Sequence, residues 1–441
     1  VRDRSAVTDE PRSGADPVAL VEPRARRGLR SLAVDVGPLR RHREFRLLFV
    51  GQAVTYLGGM ITYVAIPYQV YQLTGSSLVV GMLGLVEFAC MLSMAFLGGA
   101  LADSVDRRRM VQLTELALLL TSGLLLGNAL LPHPSIAVLF VAAGLATLFD
   151  SLQRPSLDAL LPRLVPREDV LAAGALSSMR STVGMIGGPA VGGLLITLFG
   201  LASTYAVDIG TFAFSLVILA RMKAVPPPPD AERPSLRGVA EGVRYARRQP
   251  QLMGTYLVDL NAMFFGMPHA LFPALAVSYG GAGVLGLLYA APAVGSFLAT
   301  LTSGWTSRIH RQGLAVLWAA GGWGVAITLF GVAGPLPLAL LFLALAGAAD
   351  MVSGIFRSAI WNTTIPDHLR GRLAGIELIS YASGPTLGNV EAGAVASLTS
   401  PRMSVGLGGV LCVAGTAVLA LALPAFRRYD DRDPRAAVSA A

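Results

Sequence analysis

The chain has 441 residues, 54% of them hydrophobic and only 14% charged, with a formal net charge of +8 and a mean hydropathy of +0.60. Soluble domains carry about 25% charged residues, and an interior of this size has too little room for so much apolar surface, which excludes an ordinary soluble enzyme or binding domain and makes the bilayer the solvent. The arginines sit in short clusters between apolar runs, a pattern that encodes membrane topology and gives no patch for nucleic acid.

In chain order, residues 1–45 are rich in Arg, Asp, Pro and Ala and are expected to be a disordered cytoplasmic tail. A membrane span needs about 20 apolar residues. Six such runs follow at 46–72, 78–101, 110–131, 136–160, 170–199 and 203–221. Residues 222–250 contain Pro226 to Pro229 in a row, then Leu236, Val239 and Val243 at amphipathic spacing, and read as a cytoplasmic linker. Six more runs occupy 251–279, 282–307, 313–333, 336–360, 370–397 and 402–424, and 425–441 form a second cytoplasmic tail. The expected fold is an all-α membrane protein of twelve transmembrane helices, a six-helix bundle over 46–221 and another over 251–424.

Arg107–Arg109, Arg163 with Arg167, Arg244 with Arg247 and Arg248, Arg308 with Arg311, and Arg370 with Arg372 all follow even-numbered spans, whereas Arg402 is the exception on the other side. The positive-inside rule therefore places both termini in the cytoplasm of a multi-pass cell-membrane protein. The halves also repeat: at an offset of 200, Phe140–Asp150 aligns with Leu340–Asp350, Val165-Pro166 with Ile365-Pro366, and Gly184 with Gly384.

Cys90 and Cys412 both lie in apolar runs, and the five histidines show no ligand spacing, so neither a disulfide framework nor a metal site is expected. The single lysine, Lys223, lies outside any phosphate-binding glycine loop, which argues against an ATP-driven pump. No nucleophile or metal cluster suggests an enzyme, and no cofactor is expected.

Ionisable residues inside a membrane cost at least about 2.5 kcal/mol at mid-depth and are functional candidates for that reason. Glu87, Asp150 and Arg180 in the first half, with Asp259 and Asp350 in the second, are the candidates for proton coupling or substrate contact. Asp150, Arg154 and Asp158 share one helix face at i, i+4 and i+8, which also suits a static ion-pair ladder. Glu115, Asp208, Glu377 and Glu391 lie nearer span ends, where structural roles are as reasonable, and Gln69, Asn261, His269 and Asn389 suit either cavity lining or helix contacts.

The run Gly99-Ala-Leu-Ala-Asp103-Ser-Val-Asp106-Arg107-Arg108-Arg109 resembles the loop between helices 2 and 3 of major facilitator transporters. That likeness implies a cytoplasmic latch of Gly99, Asp103, Arg107 and Arg108, with Asp158 as the arginines' partner. Ser104 and Asp106 depart from the family's usual pattern. The corresponding second-half loop, Gly304 to Arg311, lacks the Asp and is expected to be structural. Gly184, Gly188, Pro189, Gly192 and Gly193 match the span 5 motif of the superfamily's proton-coupled antiporters. Glycines four apart give a flat helix face and proline bends the helix.

Leu271-Phe-Pro-Ala-Leu-Ala, Gly286-Leu-Leu-Tyr-Ala-Ala-Pro and Pro366-Asp-His-Leu-Arg-Gly-Arg-Leu-Ala-Gly375 resemble the bacterial enterobactin exporter group, over most of residues 45–425. The resemblance implies export of a siderophore or similar small secondary metabolite in exchange for protons, and carries over Asp150 and Arg180. Pro385 stands where that group has an acidic residue. Multidrug efflux is the alternative, and a facilitator-type importer is the weaker one. Small-molecule substrate, protons and lipid are the expected partners of a monomer.

Overall fold

The computed structural model describes residues 35–102, 106–223, 244, 245, 247, 249–366 and 370–432, with helical backbone alone for 95–102 and 370–382. The linker positions Leu236, Val239 and Val243, and Asp103 of the expected latch, lie outside these residues. The helices are α1 (Gly37–Arg41), α2 (Arg43–Thr74), α3 (Ser77–Ala102), α4 (Arg107–Ala129), α5 (Ile136–Leu164), α6 (Val170–Ala220), α7 (Pro250–Gly266), α8 (Phe272–Tyr279), α9 (Ala282–Leu301), α10 (Gln312–Val332), α11 (Leu336–Thr364), α12 (Arg370–Leu398), α13 (Pro401–Ala422) and α14 (Pro424–Arg427). Among the described residues ten helical segments are long and apolar enough to cross a membrane.

The breaks follow local chemistry. α2 stops at Gly75, whose φ of 63° lets its N–H reach the Tyr71 carbonyl at 2.8 Å. α6 runs for 51 residues with one interruption, Gly200 at φ 78°, so the expected spans 170–199 and 203–221 join without a loop. The expected single span over 251–279 is broken: Met267 precedes Pro268, where helical backbone is disfavoured, and a 3₁₀ turn at His269–Leu271 separates α7 from α8. The span expected over 282–307 ends as α-helix at Leu301 and continues as the 3₁₀ turn Ser303–Arg308.

Both tails are shorter than expected. Residues 37–41 and 43–45 are helical on either side of extended His42, Phe45 is buried, and buried Asp169 accepts a hydrogen bond from Arg41 at 2.9 Å and is paired with His42 at 2.7 Å. Basic residues that read as part of a solvated tail instead satisfy a buried carboxylate. At the other end Phe426 is buried against Gly254 and Gly313, and Tyr429 is buried as well, so the chain beyond 424 is packed to at least that point.

The sequence repeat has a structural counterpart. α5 and α11 are each 29 residues long and start 200 residues apart, which puts Asp150 and Asp350 at the same helical position. Gly184 and Gly188 of α6 lie against Tyr56, Leu57 and Met60 of α2, while Gly384 and Gly388 of α12 lie against Leu260, Met263 and Phe264 of α7.

Connections at 75–76, 130–135, 280–281, 333–335 and 399–400 alternate with the arginine-bearing ones, so the turns collect on two opposite faces. Helices before residue 221 meet those after 249 near the first face. Gly81 sits on the Asn389 carbonyl and Gly393 on Ser77, joining α3 to α12; Gly193 sits on Ala282, and Gly286 on the Pro189 carbonyl, joining α6 to α9. A Cβ at Gly286 would overlap that carbonyl. Gly286→Val should therefore lower stability in detergent by about 1–3 kcal/mol, the usual cost of overpacking. An unchanged thermal transition would show that this contact does not hold the two sets of helices together.

Candidate functional site

Four groups of polar side chains lie at membrane depth, and they differ in how they are satisfied. The first is static. Glu115 of α4 is fully buried, and its Oε1 accepts hydrogen bonds from Gln52 of α2 at 2.7 Å and Ser215 of α6 at 3.0 Å. Asp208 of α6 accepts from Thr62 at 2.6 Å and Ser122 at 2.8 Å. All four donors are neutral, so these carboxyl groups tie α2, α4 and α6 together, as suits a structural role.

The second group lies in the first half. Asp150, Arg154 and Asp158 all fall on the exposed face of α5, opposite buried Leu152, Gln153, Ser156 and Leu160. They form no direct ion pairs among themselves in the described contacts. Tyr56 of α2 sits in the electrostatic field of Arg180, Asp150 and Arg154, and Arg180 in that of Asp158. The space for the Tyr56 ring is made by Gly184, where a Cβ would overlap it. Sequence reading passed over Tyr56; a phenol 128 residues from the glycine that makes room for it carries no signal until the partner helix is known.

The third group joins the halves. Tyr63 of α2 meets Tyr289 of α9 edge to face, with centroids 5.5 Å apart. Tyr289 also contacts His269 and Phe272 at 5.3 and 5.0 Å, donates to the His269 carbonyl at 3.3 Å, and feels the charge of Glu87 on α3. The 267–271 break in the second half creates this joint, because it turns His269 and Phe272 toward Tyr289. Asn389 accepts from the Ala270 N–H at 2.9 Å and holds that break in place. Gln69 accepts from Tyr205 at 2.7 Å and Asn261 donates to the Cys412 carbonyl at 3.0 Å, so these amides satisfy helix contacts.

The fourth group contains a residue that sequence reading missed. Arg357, buried on α11, forms an ion pair with buried Asp259 of α7 and lies 3.5 Å from Asp350. Asp350 is 40% exposed while Asp259 is 8% exposed, so the two carboxylates differ: one is clamped, the other accessible. The available signal was the arginine itself, charged and seven residues past Asp350 in an apolar run.

The loop expected to be a latch is built differently from the expectation. Asp106, the departure from the family pattern, caps α4 by accepting from the Arg109 N–H at 3.0 Å. Arg107 donates to the Ala159 carbonyl at 3.2 Å, and Arg108 to those of Leu219 and Ala220 at 3.1 and 2.8 Å. In place of the expected Asp158 partner, the hydrogen bonds found are to backbone carbonyls, two in the last turn of α6 and one within α5. Gly99 lies on α3 where only the backbone is described. In the span 5 motif, Gly188 abuts Met60, Gly192 lies 3.2 Å from the Ile61 Cα, and Pro189 and Gly193 reach α9, measured from the position a Cβ would take at each glycine. Glu377 lies among residues with backbone alone, and Glu391 is half-buried near the end of α12.

A family model described as transmembrane secretion effector matches residues 33–439. The enterobactin exporter EntS of Shigella boydii serotype 4 is 28% identical over 414 residues, which cover 93% of this chain and 99% of that one. Among solved structures, the nucleoside transporter NupG superposes with a TM-score of 0.71 at 14% identity, covering 88% of this chain and 99% of that one. A bacterial homologue of the iron transporter ferroportin in its inward-facing state gives 0.67 at 15% identity, covering 87% and 98%. Relatives and structural neighbours alike are membrane transporters.

Removing one member of a buried pair leaves the other uncompensated, at a cost of about 3–5 kcal/mol. Arg357→Met should therefore destabilise the protein strongly in thermal unfolding, and adding Asp259→Leu should restore much of the loss. Equal stability of Arg357→Met and the parent would remove the clamp from the structure's energetics.

Proposed function

Because the chain belongs to the transmembrane secretion effector family of the major facilitator superfamily and is an efflux transporter, we propose that it exports a siderophore or similar small secondary metabolite in exchange for protons, by alternating access between two six-helix halves. Counting the arms of α6 on either side of Gly200 separately, and adding α12, brings the ten apolar segments to twelve. The arginine-bearing connections put that face, and both termini, in the cytoplasm.

The observation that carries the reading is one-sided closure. The close backbone contacts of α3 with α12 and of α6 with α9 all lie toward the face opposite the arginines, and the Tyr63–Tyr289 joint lies beneath them. With that face closed, exposed Asp150 and its neighbours on α5 and partly exposed Asp350 on α11 suit a water-filled space open toward the arginine face. Charged side chains exposed at membrane depth belong in water-filled space. Substrate enters there, held between Arg180 and Tyr56 on one wall and Asp350 on the other. Opening the opposite side requires the glycine contacts to separate and the arginine face to close.

Asp150 is the first-choice proton carrier, with Arg180 modulating it and Glu87 second. The clamp on Asp259 makes it a structural partner, which leaves Asp350 as the second-half candidate. One proton entering through about 150 mV supplies roughly 3.5 kcal/mol, enough for a gradient of a few hundred-fold in a neutral substrate. Enterobactin is the substrate to try first because the EntS relative is named for it. Pro385, which stands where that group has an acidic residue, favours a second reading in which the cargo is a drug-like compound.

Two experiments test this. In a protein whose two cysteines are replaced by serine, Thr399→Cys should react with an impermeant maleimide added to intact cells and Ser307→Cys should not; the reverse pattern would overturn the topology. In inverted vesicles, Asp150→Asn should exchange enterobactin at close to the parental rate but lose at least about tenfold of its pH-gradient-driven accumulation, corresponding to ~1.4 kcal/mol of lost coupling. Full accumulation by the variant would make Asp150 structural.

A further inference from the structure

Away from these groups, a groove of about 740 Å³ opens between α10, α11 and the Ser303–Arg308 turn. Its walls are small and apolar, with Ala315 and Ala319 on α10 facing Ala348 and Val352 on α11. Its mouth carries Arg308, His310, Arg311 and Arg432, and no carboxylate lines it. Arg432 is paired with Asp430 at 3.1 Å and His310 with Asp431 at 3.0 Å, whereas Arg308 and Arg311 are exposed and form no ion pair with the described residues. Two tryptophans edge the groove: Trp305 in the turn and Trp318 on α10, the latter 74% exposed.

We propose that this groove binds an anionic phospholipid, with its phosphate between Arg308 and Arg311 and an acyl chain between α10 and α11. Each feature is what such a ligand requires. Trp318 lies six residues into α10, about 9 Å below the turn, the depth at which an exposed indole marks the boundary between headgroups and hydrocarbon. The arginines above it stand at phosphate level, and planar guanidinium groups bind phosphate through two parallel N–H donors. Below, alanines leave a slot where larger side chains would close the helix contact. A cluster that only fixes topology would need neither the slot nor two exposed arginines left over once Asp430 and Asp431 have paired with Arg432 and His310. The second-half loop, expected from sequence to be structural, thus acquires a ligand of its own.

Native mass spectrometry of the full-length protein in detergent, titrated with phosphatidylglycerol or with phosphatidylcholine of the same acyl chains, reads this directly. Each arginine near an anionic headgroup strengthens binding by about fivefold, so the parent should prefer one phosphatidylglycerol by roughly 25-fold. Arg308→Gln with Arg311→Gln should reduce that preference to within about threefold. Ala315→Phe, which fills the slot and keeps the charges, should weaken both lipids. Absence of preference in the parent, its persistence in the double variant, or full competition by glycerol 3-phosphate lacking acyl chains would each overturn the proposal. Should the double variant not fold, Ala315→Phe and the glycerol 3-phosphate competition still decide it.

Discussion

Helices in hydrocarbon gain little by hiding apolar side chains from lipid, since the lipid is as apolar as they are; what holds them together is close approach, and close approach depends on small residues. In this chain that constraint falls on a few glycines. Gly184, Gly188 and Gly192 seat α6 on α2, Gly384 and Gly388 seat α12 on α7, and Gly81, Gly193, Gly286 and Gly393 bring the two sets of helices together on one face. The side chains that shape the site are placed by these contacts. Tyr56 occupies the room left by Gly184, and Tyr63 meets Tyr289 where α2 passes α9 near the α6–α9 contact.

Charge is handled in three ways. Glu115 and Asp208 are buried among neutral donors and tie helices together. Asp259 is buried against Arg357, which fixes α7 on α11. Asp150 and Asp158 are exposed and Asp350 is partly exposed on helix faces of a membrane protein, a setting that is costly for a charge unless water reaches it. Nothing in the composition distinguishes these three fates; partner helices do.

The fold was legible wherever it rests on apolar length and backbone chemistry. Runs of 20 or more apolar residues, their ends near 72 and 199, and the offset of 200 between α5 and α11 can all be read from one sequence; that Gly75 and Gly200 make the breaks comes from their positive φ. The break at Met267–Leu271 was signalled by Pro268 but obscured by continuous hydropathy on both sides. The site was legible residue by residue but not as groups. Asp259 and Asp350 stood out as acids, yet Arg357 binds them from a position seven residues along α11, and its pairing with α7 depends on tertiary packing. For the arginines after α3 the sequence suggests Asp158 as partner, whereas the hydrogen bonds found run to backbone carbonyls of α5 and α6, which a sequence does not mark.

The junction at Gly200 has a mechanical consequence. Because one residue joins the two arms of α6, any motion of the arm that touches α9 through Gly193 must either pass to the arm carrying Asp208 and Ser215 or be absorbed by two backbone dihedrals. Ordinary loops decouple neighbouring helices; this joint is a lever with a single pivot. Its stiffness sets how far movement at the contact between halves is felt at Glu115 and Asp208, and the left-handed φ of that pivot restricts it to a residue without a Cβ.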